Sequence, residues 1–119
     1  MNGADYRRPD AAQMSEKALD SNIRRLLNAL GLAPTSFHPP DGTGRYRAGF
    51  PDWVIVGPGG ILYRELKSQK GRLSAEQRVW LEALRTAGAD ADVWRPEDWM
   101  SGRIQRELTA LAGRAARVA

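Results

Sequence analysis

Two runs of β-forming residues, separated by Gly57-Pro58-Gly59-Gly60, constrain this chain more than any other feature. Asp52 to Val56 is rich in β-branched residues, and Ile61 to Lys67 reads as the returning strand. Glycines and a proline between two such runs mark a turn, so the spacing predicts a β-hairpin with Pro51 at its entrance. Side chains alternate along a strand, so Glu65 and Lys67 share one face while Leu66 points to the other. Asp52, at the mouth of the first strand, is brought beside them. Taken singly, Asp52 simply begins a strand after a proline turn, and Glu65 and Lys67 are solvent-facing charges. Together they put two carboxylates and an ammonium on one spot. The strand also carries Ile61, Leu62, Tyr63 and Leu66, and charges in a packed strand normally have partners.

The rest of the chain has to cover that hairpin. Leu19, Ile23, Leu26, Leu27 and Leu30 recur at helical spacing, with Ser15 as N-cap and Gly31 as stop. Residues 1–14 show no periodicity and read as a loose arm. Thr35 to Phe37 is a short strand, and Asp41 to Gly49 is a loop holding Arg45, Tyr46 and Arg47. Gln69 to Leu73 is a second basic loop. Ser74 opens a helix to about Ala87, with Trp80, Leu81 and Leu84 inside and Gly88 at its end. Asp92 to Arg95 is a short strand stopped by Pro96. From about Pro96, one last helix carries Ile104, Leu108, Leu111, Ala115 and Val118 on a single stripe.

The order α-β-β-β-α-β-α predicts an α/β (α+β) fold, a small mixed sheet flanked by helices. The helical crossover between the last two strands makes them parallel. With 119 residues, the chain is long enough for one domain, over 15–119, and too short for two.

Composition removes whole classes of chemistry. There is no cysteine, which excludes disulfide scaffolds, thiolate metal sites and cysteine nucleophiles. With His38 as the single histidine, multi-histidine metal sites go as well. The net charge is +4, and a basic balance favours a polyanionic partner. Residues 41–72 and 101–119 each carry net +3. No apolar run is long enough to span a membrane, and the N-terminus has no apolar signal core, so a cytoplasmic protein is expected.

Two adjacent carboxylates repel unless something positive lies between them. A hard cation with oxygen ligands, Mg²⁺ above all, meets that need. Such an ion polarises a phosphate oxygen and acidifies a bound water. A lysine nearby steadies the water or the charge that builds on phosphorus. These are the parts needed to hydrolyse a phosphodiester.

Pro51-Asp52, followed after a hairpin by Glu65-Leu66-Lys67, resembles the PD-(D/E)XK nuclease motif, whose fold is restriction-endonuclease-like. Gly49-Phe50-Pro51-Asp52, Gly71-Arg72-Leu73-Ser74, Gln77, Trp80-Leu81, Leu84 and Gly88 extend the likeness to the VRR-NUC branch, in particular its short standalone phage and bacterial members. The likeness covers about residues 15 to 99. It implies that Asp52 and Glu65 are metal ligands, with the backbone carbonyl of Leu66 as a third and Glu16 as a further acid. It implies Lys67 as the catalytic lysine, Gln77 beside the site, and Mg²⁺ as cofactor with Mn²⁺ as substitute.

Several of these residues have plainer readings. Glu16 lies in a first helical turn, where an acid suits the helix dipole. Gln77 follows Ser74 by three and completes a capping box without any catalytic role. His38 is either a DNA or site-edge contact or an ordinary turn histidine. Arg45, Arg47, Lys70 and Arg72 flank the hairpin and are either DNA-backbone contacts or solvated loop charges. Tyr46 is placed to stack on a splayed base. Trp53, Trp80, Trp94 and Trp99 read as core. Arg103, Arg106, Arg114 and Arg117 form a DNA-facing stripe or merely solubilise the last helix.

The expected function is a metal-dependent, structure-selective DNA endonuclease. The resemblance points to a junction-resolving type acting as a homodimer, whose symmetry would set two sites on two strands of branched DNA. A nicking or restriction-like enzyme on duplex DNA and a catalytically silent DNA-binding module are the alternatives.

Overall fold

A computed structural model describes residues 11–39 and 48–113. Helix α1 (Glu16–Leu30) opens where the Ser15 hydroxyl accepts a hydrogen bond from the Ala18 amide at 3.0 Å, and it ends at Gly31. Its buried stripe is Leu19, Ile23 and Leu27. A 3₁₀ turn (Ala33–Thr35) follows, with Pro34 inside it, so the first strand shortens to β1 (Ser36–Phe37). Strands β2 (Trp53–Gly57) and β3 (Gly60–Leu66) form the predicted hairpin. Helix α2 (Ala75–Thr86) then crosses over to β4 (Asp90–Trp94).

The four strands form one sheet in the order β1-β2-β3-β4. The first three are antiparallel neighbours, and β4 runs parallel to β3, as a helical crossover requires. The alternation along β3 divides two environments. Leu62 and Leu66 enter the main core with Trp53, Ile55 and Trp94, beneath the α1 stripe. Tyr63 and Glu65 point to the other face, where the Phe50 ring stands edge-on to Tyr63 at 6.4 Å and to Trp80 at 4.9 Å. Burying these apolar side chains is the main term holding the layers together.

Two expectations need correction. The last helix is not continuous: α3 (Pro96–Met100) and α4 (Arg103–Leu111) are separated at Gly102, whose φ of +84° is left-handed and ends helical hydrogen bonding. Ile104, Leu108 and Leu111 keep the predicted buried stripe on α4, while Ala115, Val118, Arg114 and Arg117 lie outside the described residues. The loose arm drawn over 1–14 ends earlier. Residues 11–13 are helical, Ala11 is buried, and Met14 packs against the core. Residues 1–10 lie outside the described residues. Among the described residues, no helix is long and apolar enough to cross a membrane.

Candidate active site

The hairpin register pairs Trp53 with Arg64. One step further along the same register, Asp52 stands opposite Glu65. The Asp52 Oδ2 accepts a hydrogen bond from the Leu66 amide at 2.7 Å, which fixes its carboxylate against the end of β3. The Leu66 side chain is buried in the core, so its main chain alone faces the site. Glu65 is only 3% exposed, and its Oε2 accepts a hydrogen bond from Gln77 Nε2 at 2.9 Å.

Burial, then the Asp52 charge and a hydrogen bond with Asp52, push the Glu65 carboxyl well above the usual glutamate range. Glu16 pushes the same way through its charge, and Lys67 opposes them. A hydrogen bond between two carboxyl groups needs a proton held between them. Burial beside a like charge therefore favours the protonated form of Glu65 relative to a solvated glutamate.

That electrostatic debt tests whether a metal suits the residues present. The donors are carboxylate oxygens, which hard divalent ions prefer. A cation would replace the shared proton and relieve the repulsion between the two carboxylates. Among the described residues, no three His, Cys, Asp or Glu side chains group closely enough to hold a metal. An ion here would thus draw on Asp52, Glu65 and main-chain or solvent oxygens, with Glu16 at the exposed start of α1 acting through its charge.

Gln77 completes the capping box and also reaches Glu65. Its Oε1 accepts from the Ser74 amide at 2.8 Å and its backbone amide donates to the Ser74 hydroxyl at 3.1 Å, the complete capping box. Its other amide end, Nε2, is the group that holds Glu65. The helix start thereby fixes the orientation of the buried Glu65 carboxylate. Gly49 is what lets the Phe50-Pro51-Asp52 segment approach that helix start. It has φ +86°, and a Cβ on it would fall 2.4 Å from the Glu76 carbonyl carbon and 2.6 Å from the Gln77 amide.

The remaining predicted residues are distributed unevenly. Lys70 and Arg72 are exposed on the loop just after β3. Arg45, Arg47 and Tyr46 lie outside the described residues. His38 is not brought to the carboxylate pair. Its ring stands edge-on to Trp53 at 4.8 Å and its Nε2 is 3.8 Å from Asp20 Oδ1, on the α1 side of the sheet. Trp53 and Trp94 are core residues as expected. Arg103 belongs to no free surface stripe. It pairs with Asp92 at 2.6 Å, Asp98 at 3.1 Å and Glu107 at 2.7 Å.

Arg95 escaped the sequence reading. It follows the last strand as the N-cap of α3, and its Nη1 donates to the carbonyls of Ser68 at 2.8 Å and Gly71 at 2.7 Å. Those bonds tie down the loop that follows Lys67 and carries Lys70. An arginine directly before Pro96 was the available signal, but nothing local to it names its partners.

The sequence matches the VRR-NUC domain over residues 6–97. The chain belongs to the VRR-NUC family. A solved structure described as a VRR_NUC domain protein superposes with a TM-score of 0.56 at 20% identity, covering 77% of this chain and 88% of that one. At that identity the likeness concerns the fold, and it agrees with the mixed sheet and flanking helices found here. Fanconi-associated nuclease 1 of Danio rerio is 41% identical over 49 residues, which make up 40% of this chain and 5% of that protein. The VRR-NUC chain described here thus matches a small part of a much larger nuclease.

Proposed function

We propose that this VRR-NUC domain is a divalent-metal-dependent DNA endonuclease that hydrolyses phosphodiester bonds in branched DNA as a homodimer. The observation that carries the reading is the buried Glu65 carboxyl pressed against Asp52, with Lys67 at its side. Buried like charges with perturbed protonation are a signature of functional sites. Bound Mg²⁺, or Mn²⁺ in its place, would supply Lewis-acid polarisation of the phosphate and a more acidic water.

The chain's own residues have separable tasks. Asp52 and Glu65 hold the cation, Asp52 being oriented by the Leu66 amide and Glu65 by Gln77. Lys67 lies close enough to act on Glu65 and offers its ammonium to the attacking water or to the charge developing on the phosphate. Lys70 and Arg72 extend from the tied loop toward the flanking backbone, where they add affinity without sequence preference. The dimer and the preference for branched DNA rest on resemblance to short standalone members of the family.

The test is cleavage of a labelled four-way junction, matched duplex and single strand, with Mg²⁺ or EDTA, beside Lys67→Ala. The expected result is metal-dependent, symmetric junction cutting that Lys67→Ala reduces by a factor on the order of 10²–10³. Equal cutting of plain duplex overturns the junction preference, and binding without any cutting overturns the enzymatic reading.

A further inference from the structure

Glu16, Asp20, Arg24 and Asn28 follow one another at four-residue steps along α1, so they occupy successive turns of neighbouring surface. The row begins with the acid whose charge reaches Glu65 and runs to a cavity of about 330 Å³ between α1 and β1. That volume lies at the small end of ligand pockets. Trp53 and Leu27 form its apolar wall, and Arg24, Asn28, Ser36 and His38 supply polar groups.

Arg24 is unusual for an exposed arginine because it is held from two sides. Its guanidinium lies over the Trp53 ring, 4.9 Å from the centroid, and its Nε donates to Asp20 Oδ2 at 2.6 Å. Asp20 is itself fixed by the Trp53 indole N–H at 2.7 Å. The two terminal nitrogens of Arg24 have no hydrogen-bond partner among the described residues. A planar fork, oriented by Asp20 and Trp53 with its terminal nitrogens still open, suits a phosphate oxygen pair better than a mobile lysine would. Asn28, one turn on, presents a side-chain amide with no partner among the described residues, and an amide can read the edge of a base.

We infer that this cavity is a subsite for one unpaired nucleotide of the DNA substrate, with Arg24 on its phosphate and its base in the pocket beside Asn28 and His38. The assignment rests on the nuclease reading above and adds to it a place where branched DNA differs from duplex. A duplex keeps its bases stacked and paired, and only a base free of its partner enters a pocket of this size.

The experiment is a titration of the full chain, in EDTA, with thymidine 5′-monophosphate and with a short oligothymidylate. Binding is followed by NMR at the indole N–H of Trp53, the proton donated to Asp20. The expected result is a saturable shift of that resonance. Arg24→Gln should weaken binding about tenfold, as loss of a charged hydrogen bond predicts. Asn28→Ala, which leaves the Asp20–Arg24–Trp53 contacts intact, should weaken it by a smaller factor. Failure of both nucleotides to move the Trp53 resonance overturns the subsite, as does equal affinity in wild type and Arg24→Gln with the fold retained. The readout needs neither metal nor cleavage. A protein that cuts DNA but leaves Trp53 unmoved therefore refutes the subsite alone. A protein that binds the nucleotide but cuts nothing refutes the nuclease reading alone.

Discussion

Arg64 and Glu65 are neighbours on β3 and are equally hidden, at 2% and 3% exposure, yet they face opposite sides of the sheet and meet opposite company. Arg64 is surrounded by compensation. It pairs with Asp90 at 2.9 Å and Glu107 at 3.1 Å, donates to the Asp90 carbonyl at 2.8 Å, and sits 5.3 Å from the Trp94 ring centroid. Glu107 in turn accepts from Trp94 at 2.9 Å and Arg103 at 2.7 Å. Burial works against ionising Glu107, but those hydrogen bonds and the Arg64 charge outweigh it and hold its carboxyl below the usual range. Glu65 meets another acid instead, and Lys67 and Gln77 compensate only in part. One face of the strand thus uses buried charge to fix structure, and the other leaves an excess of negative charge that a cation can relieve.

Removing the compensated charge should have the largest effect. Arg64→Met removes the buried guanidinium and its charged hydrogen bonds to Asp90 and to Glu107, which keeps Arg103, and should cost about 2 kcal/mol. Urea denaturation would show it as a lower midpoint at unchanged slope. A stable Arg64→Met protein would mean that the network is not structural.

Lys67→Ala should do the reverse, leaving the denaturation midpoint nearly unmoved while cutting cleavage by a factor on the order of 10²–10³. Comparable losses of stability and activity would erase the contrast between the two faces.

Gln77 allows a finer cut because its two ends have separate work. Gln77→Glu keeps an acceptor for the Ser74 amide but cannot donate to Glu65. Cleavage should fall about 10- to 100-fold, as for other groups that orient metal ligands, with thermal stability largely kept. Gln77→Ala should lose both functions and about 1 kcal/mol of stability.

The dependence on pH has opposite signs on the two faces. Folded Glu65 holds its proton above the ordinary value of 4.5. Above that pH the unfolded chain has released the proton while the folded chain retains it, so this group makes stability fall as pH rises. Glu107, held below 4.5, and Asp92, held below 3.8, favour the folded state above those values and lose that contribution as pH falls through their lowered range. Asp92 is buried against ionisation too, but the Val93 amide and Arg103 outweigh that. Denaturation in EDTA should therefore show Glu65→Gln gaining on wild type as pH rises above 4.5.

The legible parts of this molecule were those set by short-range chemistry. The hairpin followed from glycine and proline between β-branched runs, and the Ser15 and Ser74 caps from hydroxyls at helix starts. Asp52, Glu65 and Lys67 could be gathered because one tight turn and strand alternation fix their relation. Arg64 was not legible as a buried charge because its partners lie 26 and 43 residues away and meet it only through the parallel strand and α4. Arg95 was missed for the same reason, its carbonyl partners lying 24 and 27 residues back. Gln77 read as cap or site residue because sequence spacing does not say that an amide's two ends can be used at once. The break at Gly102 was not legible because the stripe from Ile104 lies wholly after it, so Pro96–Met100 read as the start of the same helix.

Titration calorimetry of Mg²⁺ into the protein, repeated in buffers of different ionisation enthalpy, tests the charge imbalance most directly. Binding accompanied by proton release in wild type, with the release lost in Glu65→Gln, is the predicted result. Binding that releases no proton, or that persists unchanged in Glu65→Gln, would contradict the claim that the cation replaces the proton held between Glu65 and Asp52.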